Sequence, residues 1–171
     1  ELGKRPPLAS MELIWTAHKG EHLLISSFVH PPTENRAKEA LELMNENHVI
    51  FVKGLEGSVD LPSSRAGITG HLKNKNFERI IVHPHEYGLS QKEIEWKSIE
   101  EWKHQAIEGL NNKGPLLAPI IWNAGIYFWF TGITNHLQEG LDKAKYYISS
   151  GIANKTLKDM IIWLNRNINQ S

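Results

Sequence analysis

The first half of the chain alternates short apolar runs with one stretch of helical periodicity. Apolar and β-branched residues dominate three runs, which predicts three strands at residues 13–17, 23–29 and 49–52. Between the last two runs, residues 34–47 repeat apolar side chains at helical spacing, and Thr33 is the predicted N-cap. Strand, helix and strand in this order predict a βαβ unit, which favours a parallel sheet.

The next pattern predicts a hairpin, and the remaining pattern is helical. Two apolar runs flank the sequence KNKN, whose asparagines suit a turn; the runs are residues 66–72 and 77–82. From Ser90 onward the periodicity is that of helices, with Ser90 and Glu93 forming a predicted capping box. The predicted helices cover about residues 90–97, 98–112, 116–131, 134–149 and 154–168.

These elements predict one α/β domain over residues 1–171. We expect a small, mostly parallel sheet with an edge hairpin, flanked by helices, and a helix-rich C-terminal half. A chain of 171 residues is long enough to bury a core of its own.

Composition narrows the classes of function. Lys plus Arg and Asp plus Glu number 19 each, so the formal net charge is 0 and no strong field attracts nucleic acid or an anionic membrane. Cysteine is absent, which excludes a disulfide framework and a thiolate metal site and suits a cytoplasmic protein. The most apolar stretch, residues 116–130, is too short to span a bilayer.

A glycine-rich loop follows the predicted strand at residues 49–52. Ligands of open α/β sheets lie at the carboxyl ends of the strands, where this loop begins. Gly54 and Gly57 allow close backbone approach to a ligand, and Asp60 is suited to a hard cation such as Mg²⁺. The alternative is a turn in which Asp60 bonds to nearby amides, and spacing alone favours this turn. Lys53, beside the loop, and the N-terminal Lys4 and Arg5 are candidate phosphate-binding cations.

Five segments, in this order, resemble the C-terminal part of anthranilate phosphoribosyltransferase and its relatives, the family-three glycosyltransferases. LGKRPPL stands where that family has a Leu-Gly-Pro-Leu-type loop, and VIFVKGLEGSVDLPS resembles its apolar strand and following acidic loop. VHPHEYGL, IIWNAGIY and LQEGLDKAKYYISSGIANKTLKDMI resemble three later segments of the family. The resemblance covers nearly the whole chain and suggests a divergent branch, of the kind found in cyanobacteria.

The resemblance implies a transfer of phosphoribosyl from phosphoribosyl pyrophosphate (PRPP) to an aromatic amine, in tryptophan biosynthesis, with Mg²⁺ as cofactor. It implies that Asp60 takes the first place of the family's metal-binding acidic pair, whose second place falls on Leu61. Glu56 lies nearby in the sequence and is the candidate substitute, although no motif of the family marks it as a ligand. The family's Gly-Thr-Gly-Gly-Asp diphosphate loop lies upstream of these segments. We therefore expect this chain to be the C-terminal portion of a longer protein and not to complete the reaction alone.

Two kinds of function stay open on these grounds. The first is a pentosyltransferase that uses PRPP and an aromatic amine and forms a homodimer in the cytoplasm. The second is a non-catalytic relative that binds a ligand or nucleic acid. Leu61 in place of a carboxylate favours the second reading, whereas the zero net charge argues against nucleic acid as the ligand.

Overall fold

The computed structural model describes residues 12–54 and 57–168 of the chain. The chain divides into two compact units, the first ending at Pro84 and the second beginning at His85. The one-domain organisation expected from the sequence stays a prediction.

The first unit is built on a four-stranded sheet. Its strands follow one another in the order β1 (Leu24–Ser27), β2 (His48–Val52), β3 (Gly67–Lys73) and β4 (Asn76–Val82). β1 and β2 are parallel, whereas β2–β3 and β3–β4 are antiparallel. The α/β class and the edge hairpin are thus confirmed, although only one of the three described pairings is parallel. The reason is that β3 returns beside β2 without a crossover helix, which a parallel pairing would need.

Helix α1 (Pro31–Leu43) connects the two parallel strands, as the βαβ pattern predicts. A core cluster on one side of the sheet contains Ile14, Phe28, Leu41, Val49, Phe51 and Leu72. Leu41 comes from α1 and is fully buried, so this helix covers the face of the sheet that carries Val49, Phe51 and Leu72. The N-cap of α1 is His30 and not the predicted Thr33, because Pro31 and Pro32 already hold the backbone angles of the first turn.

The hairpin loop has the geometry that its sequence predicts. Asn74 and Lys75 separate the two strands and have φ values of 50° and 65°. Two consecutive residues with positive φ form the turn whose twist matches that of the flanking strands. Asparagine accepts this conformation at small cost, whereas Lys75 adopts it because the register on both sides of the loop requires it.

Two predicted elements are wrong. Residues 13–17 do not form a strand; Glu12–Ile14 is a short 3₁₀ helix that buries Ile14. Residues 90–97 are not helical, and their two large apolar residues, Ile94 and Trp96, stand two positions apart instead of three or four. The helix begins after Ser98, whose Oγ accepts a hydrogen bond of 3.1 Å from the amide of Glu101.

The second unit is helical, as predicted for the C-terminal half. Its helices are α2 (Ile99–Leu110), α3 (Leu117–Phe130), α4 (Leu137–Ser149) and α5 (Ile152–Ile168). α3 and α4 approach closely because glycines meet at their contact. A Cβ on Gly140 would overlap the carbonyl oxygen of Gly125, and a Cβ on Gly125 would lie 2.8 Å from the Leu141 backbone. Among the described residues, no helix has the length and apolar character needed to cross a membrane.

Candidate functional site

The two parallel strands deliver two loops to the same edge of the sheet. β1 is followed by Phe28, Val29 and His30, and β2 is followed by the loop that begins at Lys53. Parallel strands end at the same edge, which is where open α/β sheets bind their ligands. A Cβ on Gly57 would lie 3.5 Å from Cγ2 of Val29, so the two loops lie side by side. The loop after β1 did not figure in the sequence prediction, although the βαβ order places it here.

Gly54 lets the β2 loop fold back on itself. A Cβ at this position would overlap the carbonyl oxygen of Ser58 and lie 3.1 Å from that of Asp60. Because both obstacles are backbone atoms, no side chain can rotate away to make room. Gly57 has a φ of 82°, a conformation that glycine adopts without strain. Both glycines therefore shape the loop, and their contact with a phosphate stays a prediction.

Asp60 and Lys53 are the candidate charged groups of the loop. Both residues are exposed. The backbone amide of Asp60 donates to Oγ of Ser58 at 3.1 Å, and the amide of Lys53 donates to the carbonyl of Ile68 at 2.9 Å. These two bonds fix the backbone on either side of the turn. The other predicted site residues, Lys4, Arg5 and Glu56, lie outside the described residues.

The residues after Asp60 turn into the unit. Leu61 is only 1 % exposed, and Pro62 and Ser63 are also buried. A Cβ on Gly67 would clash with Cδ2 of Leu61 and lie 3.1 Å from Cγ2 of Val82, so Leu61 packs against the start of β3. A carboxylate at this position would be removed from water, which is costly without a partner. Leu61 is therefore an apolar anchor of the loop and offers no side-chain oxygen to a metal ion.

The N-terminus of α1 does not offer the anion site that helix N-termini often provide. Pro31 and Pro32 occupy the first turn and have no amide hydrogen. The amides of Thr33 and Glu34 both donate to the carbonyl of His30, at 2.9 Å and 3.4 Å. With the first-turn amides absent or used, a phosphate at this edge needs the β2 loop or groups from elsewhere.

The donor set of the loop is compatible with one hard cation. Within residues 12–54 and 57–168, no three His, Cys, Asp or Glu side chains are grouped so that they could hold a metal ion. Mg²⁺ nevertheless binds through one or two carboxylates when phosphate oxygens and water complete its octahedron. The single exposed carboxylate of Asp60 suits that mode of binding. It is too few ligands for a site in which protein side chains alone surround the cation.

The chain is similar to known enzymes over most of its length. The protein-family model described as "Glycosyl transferase family, a/b domain" matches residues 13–154 of the chain. The anthranilate phosphoribosyltransferase of Polaromonas sp. (strain JS666 / ATCC BAA-500) is 25 % identical over 165 residues, which are 94 % of this chain and 47 % of that protein. The chain thus spans less than half the length of this relative.

Solved structures show the same fold. The anthranilate phosphoribosyltransferase from Thermus thermophilus superposes with a TM-score of 0.62 at 24 % identity, over 80 % of this chain and 41 % of that one. A serine-to-alanine variant of the Saccharomyces cerevisiae enzyme with Mg bound gives a TM-score of 0.61 at 20 % identity, over 78 % and 40 %. Because the family model covers most of its residues, the chain belongs to the glycosyl transferase family and contains that family's α/β domain.

Proposed function

We propose that this chain is part of a longer phosphoribosyltransferase and that it presents Asp60 to the magnesium–diphosphate group of PRPP. The observation that carries the proposal is the position of Asp60, exposed on a folded-back loop at the carboxyl edge of the parallel pair β1–β2. Membership of the family and the similarity to anthranilate phosphoribosyltransferases support it. An aromatic amine is the proposed acceptor, and a cytoplasmic location and a homodimer go with this proposal.

The proposed reaction is a substitution at C1 of the ribose. The amine nitrogen forms a bond to C1, the bond from C1 to the pyrophosphate oxygen breaks, and the amine loses a proton. Bound Mg²⁺ would neutralise the charge that develops on the departing diphosphate. Asp60 would hold this cation, and the ammonium group of Lys53 would attract the phosphate oxygens. Gly54 and Gly57 would let the backbone lie close to the same oxygens.

The proposal leaves part of the phosphate site to other segments. The first turn of α1 has no amide to offer, and Lys53 is the loop cation predicted to bind phosphate; the other cation of the described loop, Arg65, is exposed two residues before β3. Lys4 and Arg5, and the glycine-rich loop that the family resemblance implies upstream, are the groups that would complete the cradle. Turnover is therefore proposed for the longer protein and not for this chain by itself.

Asp60→Asn in the full-length protein tests the proposal. The substitution keeps the shape of the side chain and removes its charge, so affinity for pyrophosphate in the presence of Mg²⁺ should fall. Loss of one charge-assisted interaction corresponds to about 1.5–3 kcal/mol, or roughly 10- to 100-fold in affinity. Isothermal titration calorimetry measures it, with Asp142→Asn on the exposed surface of α4 as the matched control. Equal affinity for pyrophosphate in the two variants would show that the loop is a turn that binds no ligand.

One observation favours a relative that binds without turnover. Leu61 is buried, so the loop presents Asp60 without a carboxylate at the following position. A non-catalytic protein with this loop would bind PRPP or another anionic ligand, and a formal net charge of 0 weakens the case for nucleic acid. Binding of PRPP with no turnover of any aromatic amine would select this function. A salt-dependent complex with DNA or RNA, without PRPP binding, would select the nucleic-acid version.

A further inference from the structure

The imidazole ring of His22 lies between two oxygen atoms of different segments. Its Nδ1 is 2.7 Å from the carbonyl oxygen of Gly20, and its Nε2 is 3.1 Å from Oε2 of Glu46. Gly20 belongs to the segment before β1 and Glu46 to the segment before β2, so the ring joins the two. Because β1 and β2 are parallel, both segments lie at the edge of the sheet opposite the β2 loop.

Both oxygen atoms beside the ring are hydrogen-bond acceptors. A carbonyl oxygen has no hydrogen to donate, so Nδ1 must donate in its bond to Gly20, and an ionised carboxylate also only accepts. A neutral imidazole has one N–H group and serves one of the two oxygens, whereas the protonated ring serves both. In a neutral ring, a nitrogen lone pair would therefore face an oxygen lone pair at 2.7 Å or at 3.1 Å.

The surroundings of the pair make this conflict hard to relieve with water. The Nε2 atom of His22 is buried and makes no aligned hydrogen bond to the described residues, so its contact with Glu46 is ionic. The side chains of His22 and Glu46 are 23 % and 19 % exposed. Screening by solvent is weaker at such a pair than at a fully exposed one, so the charge on the ring decides whether the contact is attractive.

Other titratable groups surround the same edge of the sheet. The ring of His18 lies edge-on to that of His22, with the centroids 5.9 Å apart. Glu21 raises and Lys73 lowers the pKa of His48 at the start of β2, so both charges reach this edge. A test of the ion pair must therefore change its carboxylate alone and leave these neighbours in place.

We propose that His22 and Glu46 form a proton-dependent latch that holds residues 15–22 against the segment before β2 while the imidazole carries both protons, and releases them when one is lost. Histidine ordinarily changes its charge between about pH 5 and pH 8, so the latch responds in the physiological range. Ile14 in the core and β1 fix the two ends of the segment, so release is a local movement of the loop. The inference does not rest on the proposed function, since the latch and the β2 loop lie at opposite edges.

Hydrogen exchange of the full-length protein, read by mass spectrometry on a peptide that covers residues 15–23, tests the latch. Protection factors, which correct for the intrinsic effect of pH, should be about two- to fivefold higher at about pH 5.5 than at about pH 8. His22→Ala should give the low value at both pH values, and a peptide from α4 is the internal control. Equal protection of residues 15–23 in the wild type at the two pH values overturns the inference, as does wild-type protection in His22→Ala.

Glu46→Gln is the sharper variant. Its amide group can accept from the protonated ring and donate to Nε2 of the neutral ring, while Nδ1 still donates to Gly20. Protection of residues 15–23 should therefore stay high at both pH values in Glu46→Gln, whereas it should be low at both in Glu46→Ala. A Glu46→Gln variant that keeps the wild-type difference would assign the pH dependence to His18, Glu21 or His48 and overturn the inference.

Discussion

Glu34 and Arg79 form a bidentate ion pair between α1 and β4, in which each of the two terminal guanidinium nitrogens donates to one carboxylate oxygen at 2.7 Å. The Arg79 carbon Cζ lies 5.8 Å from the ring centroid of Phe28 and 5.2 Å from that of Phe77. A Cβ on Gly70 would lie 2.7 Å from Oε1 of Glu34, so the sheet leaves room for the carboxylate by placing a glycine beneath it. This pair fixes the helix of the βαβ unit onto the hairpin.

The two members of the pair differ in burial, and we expect their replacement to differ in cost. The side chain of Glu34 is 2 % exposed and that of Arg79 is 38 % exposed. Arg79→Met should lower the free energy of unfolding by about 3–5 kcal/mol, because it leaves a buried carboxylate unpaired. Glu34→Gln should cost less, about 1–3 kcal/mol, since water still reaches the guanidinium group. Urea unfolding of both variants gives the two values.

The double variant Glu34→Gln/Arg79→Met is the control for this interpretation. It removes both charges, so it should be more stable than Arg79→Met alone. Equal costs for the two single variants would contradict the role assigned to burial.

A second prediction concerns acid. Burial lowers the pKa of His71 to about 4, and neighbouring His48 contributes to the same shift; the ordinary value is 6.5. The pKa of His48 is itself lowered, by burial and then by Lys73, while Glu21 opposes the change. In the unfolded chain His71 takes up a proton near its ordinary pKa, whereas in the folded chain it does so only near pH 4. Stability should therefore fall as the pH drops from about 6.5 towards 4, and this group should contribute no pH dependence above that window.

His71→Gln isolates this contribution. The groups around His71 include His48 on β2, Glu78 directly opposite on β4, and Thr69, whose Oγ1 lies 3.3 Å from Nε2 of His71. Urea midpoints at about pH 7.5 and about pH 5 should differ less in the variant than in the wild type, since the glutamine does not titrate. An identical difference in the two proteins would show that other groups cause the acid sensitivity.

Much of the fold could be predicted because its signals are local. The Asn74-Lys75 hairpin turn, the βαβ order and four of the five C-terminal helices follow from turn residues and from apolar spacing. The strand predicted at residues 13–17 failed because strand formation depends on a neighbour, and an apolar run does not specify one. The capping patterns at Ser90 and Ser98 look alike in sequence. Only the second precedes a helix, whose far end packs through Gly109 against Ile120 of α3.

The sequence predicted where the loop of the candidate site turns, but not which of its side chains are buried. Gly54 and Gly57 mark the loop in the sequence. In the structure Gly54 allows a close approach of the Ser58 carbonyl, and Gly57 has a positive φ. Leu61 is part of the same short segment, but its burial depends on Gly67 and Val82, which belong to the later hairpin. Glu34 presents the same difficulty, because helical periodicity contains no information about a partner 45 residues later.

Gly54→Ala is the substitution that tests whether the folded-back loop is needed for binding. The added methyl group would meet the Ser58 carbonyl oxygen and approach that of Asp60, and backbone can relieve such a clash only by opening the loop. We expect a loss of about 1–3 kcal/mol in the free energy of unfolding, as for other overpacked sites. Binding of Mg²⁺ with pyrophosphate should fall at least about tenfold, because Asp60 moves with the backbone that Gly54 holds. Calorimetry and urea unfolding on the same preparations measure both effects.

Gly57→Asn provides the matched control within the same loop. Its φ of 82° is one that asparagine accepts better than other residues with a side chain, and a Cβ there would make an ordinary contact of 3.5 Å with Val29. Its cost in stability should therefore be the smaller of the two. If Gly54→Ala keeps full affinity while losing stability, the loop can open without releasing its ligand, and Asp60 does not depend on the turn for its position. If Gly54→Ala reduces neither the stability nor the affinity, the contact between Gly54 and Ser58 is not maintained in solution.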